Sequence, residues 1–95
     1  MVTLPSGRYL GAVNDRGTMT FQNIPYGNFQ GRWKPLGPVT QGTELHTATT
    51  PGPACPQVDF GPYPKWKDQV PFDEAACFNL SVSTTDCDGK KPVLV

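Results

Sequence analysis

Three cysteines, one histidine and three serines are the side chains in this sequence best suited to covalent or acid–base chemistry: Cys55, Cys77 and Cys87, His46, and Ser6, Ser81 and Ser83. A serine nucleophile needs a sharp strand-to-helix turn of the form Gly-x-Ser-x-Gly, a histidine to take its proton, an acidic residue to orient that histidine, and glycine-rich donors for the oxyanion. No serine here has glycines at that spacing, and Ser81 and Ser83 fall within an expected strand, so all three read as structural. His46, between Leu45 and Thr47 in a threonine-rich stretch, has no evident acidic partner and reads as a solvated polar residue. No metal site is expected, because one His, three Cys and scattered Asp show no paired ligand spacing such as Cys-x-x-Cys. Asp86-Cys87-Asp88-Gly89 lacks the remaining ligands and the terminal Glu of a calcium loop and reads as a polar turn.

The cysteines leave several readings open. Three of them allow three single-bridge pairings with one thiol left over, and all three would be free thiols in a reducing compartment. A Cys55–Cys77 bridge would contribute roughly 3 kcal/mol in the chain-entropy account.

The elements that must position these residues are short. Ten glycines and eleven prolines favour strands and turns over long helices. Val2 to Leu10 reads as one strand, continued by Gly11 to Val13. Asn14-Asp15-Arg16-Gly17 is a turn, and the alternating Thr18-Met19-Thr20-Phe21 is its returning strand. Asn23 to Gly27 breaks that pattern, and Gly37 to Pro53 reads as an irregular surface connection. The stretch from Pro51 to Pro71, with Phe60, Tyr63 and Trp66, is too rich in proline for a helix or central strand and is expected to be an ordered loop pinned by its aromatics. Asp73 to Ala76 suits one helical turn, Cys77 to Ser83 a strand, Asp86 to Gly89 a turn, and Pro92 to Val95 the start of a buried strand. Asn79-Leu80-Ser81 matches the N-glycosylation pattern but sits in a strand expected to be buried, so no glycan is expected there. No internal repeat or heptad is present.

Charge excludes some partners. Eight basic and eight acidic residues give a formal net charge of zero, which leaves no electrostatic footprint for nucleic acid or an anionic membrane. No stretch is apolar enough to span a bilayer, and the start lacks the basic and apolar regions of a signal peptide. A chain of this size buries only a little over ~60% of its unfolded surface, so staples or a partner are expected.

The succession Phe21-Gln22-Asn23-Ile24-Pro25-Tyr26, Gly31-Arg32-Trp33-Lys34-Pro35, Cys55-Pro56-Gln57, Cys77-Phe78-Asn79-Leu80-Ser81-Val82 and Pro92-Val93-Leu94-Val95 resembles the N-terminal part of the type-B carboxylesterases, the family of cholinesterases and many fungal esterases. The resemblance runs from about residue 3 to Val95. It implies an α/β class chain, the incomplete N-terminal portion (residues 1–95) of an α/β-hydrolase domain, here mostly short β-strands and loops with little helix.

It also implies a Cys55–Cys77 disulfide with Cys87 free, and hence a secreted or extracellular setting. Relatives usually carry Glu-Asp before the second cysteine, the Glu pairing with the Arg of an Arg-Phe step. Here Ala75 and Ala76 stand there, Arg32 is kept before Trp33, and Asp73 or Glu74 lies a turn earlier. The structural ion pair is assigned to Arg32 and Glu74, against a displaced carboxylate that is merely solvated. In relatives the disulfide-closed loop rims the active-site gorge, which marks Trp66 as a possible gorge residue. Its flanking Lys65 and Lys67 favour a packing anchor instead.

The expected function is therefore that of a fragment of a serine carboxylesterase hydrolysing carboxylic esters. This segment lacks nucleophile, oxyanion hole and triad, and it needs no cofactor. Its partner would be the remainder of the esterase domain, with a small ester as substrate only in the complete enzyme. The alternative is a small disulfide-stapled, non-catalytic binding or interaction module.

Overall fold

A computed structural model of the chain describes residues 1–57 and 71–95. Among these residues there are six short strands and no helix: β1 (Val2–Leu4), β2 (Gly7–Leu10), β3 (Ala12–Val13), β4 (Met19–Pro25), β5 (Leu45–Thr47) and β6 (Asn79–Thr84). They form two three-stranded sheets, ordered β1-β2-β5 and β3-β4-β6. The chain is thus small and sheet-rich, in keeping with the expected strands and loops.

The first segment is a hairpin rather than one strand. Val2 pairs with Tyr9 and Leu4 with Gly7, because Pro5 presets its φ for a turn and Gly7, at φ 144°, takes a conformation open to few other residues. Beyond it, β3 and β4 pair antiparallel across the expected Asn14–Gly17 turn. There the Asn14 side-chain oxygen accepts from the amides of Arg16 and Thr18, each at 2.9 Å.

The stretch from Gly37 to Pro53 departs from its expected irregularity by inserting β5, which runs parallel to β2 with Tyr9 opposite His46. One residue further on, the Ala48 amide donates to the Leu10 carbonyl at 2.8 Å, and the Ala48 carbonyl accepts from the Gln22 amide at 2.9 Å. Ala48 therefore stitches the two sheets together, and it is 1% exposed. β4 makes room for this contact with a bulge. Phe21 pairs with Val82 and Ile24 with Leu80, so β4 carries one extra residue, and Asn23 there adopts φ 59°.

The core sits at this junction: Tyr9, Phe21, Ile24 and Ala48, with Val2 and Met19 packed against them. Gly11 is held by close approach, since a Cβ there would lie 2.7 Å from the Phe21 ring. On β6, Leu80 and Val82 face the same side as Ile24 and Phe21 yet remain 40% and 45% exposed. Pro92 to Val95 does not form the expected strand: it has no pairing partner among the described residues, and Val93, Leu94 and Val95 are fully open to solvent.

Candidate functional site

Four residues singled out in the sequence, Cys55, Cys77, Arg32 and Glu74, meet at the segment that leads into β6. Asp73 starts it. Its carboxylate accepts from the amides of Ala75 (2.9 Å) and Ala76 (3.3 Å), which makes a capped turn in place of a full helical turn. Ala54 pairs with this stretch as a parallel bridge: its amide donates to the Pro71 carbonyl, and its carbonyl accepts from the Asp73 amide, both at 3.0 Å. Cys55 follows Ala54 directly, and Cys77 follows the capped turn beyond Phe72; the two are joined in a disulfide with their Cα atoms 4.8 Å apart. Cys77 is buried. Asn79, the first residue of β6, donates its side-chain amide to the carbonyls of Pro53 (2.9 Å) and Ala76 (3.0 Å), one on each side of the disulfide.

Glu74, inside the capped turn, meets Arg32. The guanidinium donates from Nε to Oε1 and from Nη2 to Oε2, each at 2.6 Å, a bidentate pair. Both side chains are open to water. Hydrogen bonding from Arg32 holds the Glu74 carboxyl below its ordinary value, opposed by desolvation and helped by the Arg32 charge. The same hydrogen bond raises the Arg32 guanidinium. Next to it, Trp33 adopts φ 68° and is 95% exposed, so the pair tethers a loop whose aromatic side chain buries nothing. Trp66 lies outside the described residues, as do Phe60 and Tyr63.

Sequence reasoning missed a second constellation. His46, half-buried on β5 rather than free in a loop, stacks on Tyr9 with ring centroids 5.0 Å apart and an interplanar angle of 25°. The Tyr9 hydroxyl is 2.8 Å from Ser6 Oγ. The signal for this was the Leu45-His46-Thr47 alternation, too short to stand out. These residues line an open cleft of about 890 Å³, together with Asn28, Phe29 and Phe78.

The cleft brings a hydroxyl, a phenol and an imidazole into one neighbourhood without building a hydrolytic centre. Ser6 bonds to Tyr9, Ser83 to Thr20 at 3.1 Å, and Ser81 sits exposed on β6. No serine among the described residues hydrogen-bonds to His46, so none has a general base in place.

The remaining candidate is Cys87, a free, exposed thiol 3.6 Å from the Met19 sulfur. Its loop is a polar turn: Asp86 accepts from the Asp88 amide at 2.8 Å and pairs with Lys91 at 3.5 Å. The first of these contacts is the main cause that lowers the Asp86 carboxyl. No cluster of three or more His, Cys, Asp or Glu side chains suited to a metal ion occurs among the described residues. Comparison with family models, curated proteins and solved structures finds no match to this chain.

Proposed function

We propose that this chain is the structural N-terminal portion of a serine carboxylesterase with an α/β-hydrolase fold, a segment that shapes the substrate-gorge rim and leaves acyl transfer to the remainder of the domain. The supporting observation is a pair of cross-links on one short segment. Cys55–Cys77 closes the loop that carries Trp66, and Arg32–Glu74 anchors the turn just before Cys77. The resemblance implies the disulfide, and Arg32 pairs with Glu74 where Ala75 and Ala76 replace the acidic residues usual in relatives.

In this reading the remainder of the esterase supplies the serine, histidine, acid and oxyanion donors, and the ester is bound only in the complete enzyme. The disulfide favours an oxidising, secreted setting. Alone, the chain turns over no ester, since it lacks the groups that supply most of the acceleration in acyl transfer.

A chimera tests the reading. Residues 1–95 replace the corresponding segment of a fungal type-B carboxylesterase, and hydrolysis of p-nitrophenyl butyrate is measured. A soluble chimera that turns over the ester, beside an isolated chain that does not, is the expected result. An insoluble or inactive chimera, or saturable turnover by the isolated chain that a serine-directed phosphonate abolishes, contradicts it.

The cleft of about 890 Å³ favours a second reading, a disulfide-stapled binding module, because its volume lies within the range of small-molecule sites. Native mass measurement separates the two. A self-standing module flies as a folded monomer of 10.3 kDa, whereas an esterase segment is recovered with a larger companion polypeptide or as an aggregate.

A further inference from the structure

Asn79-Leu80-Ser81 fits the acceptor pattern for N-glycosylation, and the strand that carries it is exposed rather than buried: Leu80 and Ser81 are both open to solvent. What shields the acceptor is hydrogen bonding. A carboxamide nitrogen has two N–H groups, and Asn79 commits them to the Pro53 carbonyl at 2.9 Å and the Ala76 carbonyl at 3.0 Å. Gly52 also packs closely on one side, since a Cβ there would lie 2.7 Å from Asn79 Cγ.

Pro53 lies two residues before Cys55, and Ala76 immediately precedes Cys77. The two carbonyls meet at one amide where the disulfide holds the Cα atoms of its cysteines 4.8 Å apart. We propose that Asn79 is a glycosylation site gated by the Cys55–Cys77 disulfide: the amide accepts a glycan while the bridge is open and is withdrawn when the bridge closes.

The transfer draws on a lipid-linked oligosaccharide diphosphate. Asn79 Nδ2 forms a bond to the anomeric carbon, the bond from that carbon to the diphosphate oxygen breaks, the lipid diphosphate leaves, and one amide proton passes to a base. The glycosylated amide keeps a single N–H, so it can serve only one of the two carbonyls. Modification and bridge closure therefore oppose each other in both directions. A glycan on Asn79 marks chains that failed to close the loop. This inference does not depend on the esterase reading.

The test is secretion of the chain behind a yeast leader, with intact mass measured before and after glycosidase treatment. Wild-type chains are expected to be bridged and free of glycan. Chains with Cys55→Ser and Cys77→Ser together are expected to gain the mass of one N-glycan, which the further change Asn79→Gln removes. Ser81→Thr, made in both backgrounds, separates shielding from a poor acceptor sequence: the bridged form stays unmodified and the unbridged form is modified. The readout survives incomplete folding, because an open loop is the state the double variant is meant to create. A glycan on most bridged wild-type chains overturns the proposal, and so does an unbridged chain with Ser81→Thr that carries none.

Discussion

The junction of the two sheets and the segment entering β6 hold their shapes by different means. At the junction, Tyr9, Phe21, Ile24 and Ala48 are buried together, and Ala48 bonds to both β2 and β4. Around β6, Cys77 is the buried hydrophobic residue, and the rest is held by a disulfide, a bidentate ion pair, a capped turn and the two bonds of the Asn79 amide. Burial rewards the folded state directly, whereas a cross-link acts mainly by limiting the unfolded one. With so few buried side chains among the described residues, the fold draws on both.

The comparison breaks most sharply at Phe21. Replacing this 5% exposed ring with alanine removes a large aromatic piece of the junction and opens a cavity beside Gly11. The expected cost is about 3–5 kcal/mol, as for other buried Phe→Ala changes, which is enough to unfold a chain of this size. Loss of far-ultraviolet strand signal in the isolated chain is the check; a folded F21A variant places the core elsewhere.

Opening the disulfide with Cys55→Ser and Cys77→Ser costs roughly 3 kcal/mol in the chain-entropy account and falls on the other region. Urea titration is expected to show a lower midpoint while the Tyr9–His46 stack persists. Simultaneous loss of both regions at that lower midpoint would merge them into one cooperative unit.

A smaller effect is expected at Gly7. Alanine there meets φ 144° and would bring its Cβ within 2.8 Å of the His46 ring, a strain of about 1–3 kcal/mol. The expected sign is a destabilised hairpin with His46 displaced from Tyr9, visible as altered imidazole chemical shifts. An unchanged His46 resonance in G7A shows that the stack does not depend on this close approach.

The smallest effect belongs to the exposed Arg32–Glu74 pair, screened by water and salt. Because the folded Glu74 carboxyl lies below its ordinary value, its contribution is present above that ordinary value and is lost as pH falls through the depressed one. Wild type and Glu74→Gln should differ in stability near neutral pH, converge in acid, and converge also in high salt. A difference that persists in acid assigns the effect to packing instead.

The legible parts of the fold were those with local causes. Asn14 and Gly17 announce their turn through side-chain capping and backbone freedom, and the alternation from Thr18 to Phe21 marks the first three residues of β4, which runs on through the bulge to Pro25. The illegible parts depended on distant partners. Val2 to Leu10 reads as one strand because both halves have strand character, and only the Pro5-Ser6 turn divides it. β5 is three residues in a polar stretch, stabilised by a parallel pairing with β2 that no local pattern announces. His46 was misread for the same reason, since its setting is the Tyr9 ring from another strand.

At the site, Cys55–Cys77 and Arg32–Glu74 came from the family resemblance, not from spacing, which left three bridge pairings open. Asn79 was placed in a buried strand, whereas β6 is exposed and its amide is occupied by carbonyls on either side of the disulfide.

The central claim is that burial holds the sheet junction while covalent closure holds the segment entering β6. Amide hydrogen exchange, followed by mass spectrometry on the same sample with and without a thiol reductant, tests it most directly. Reduction is expected to accelerate exchange at Ala54 and Asp73 and through the capped turn into β6, while Ala48, Gln22 and the β1–β2 hairpin keep their protection. Equal acceleration at Ala48 and in the turn, or unchanged protection at Ala54 and Asp73 after reduction, would contradict it.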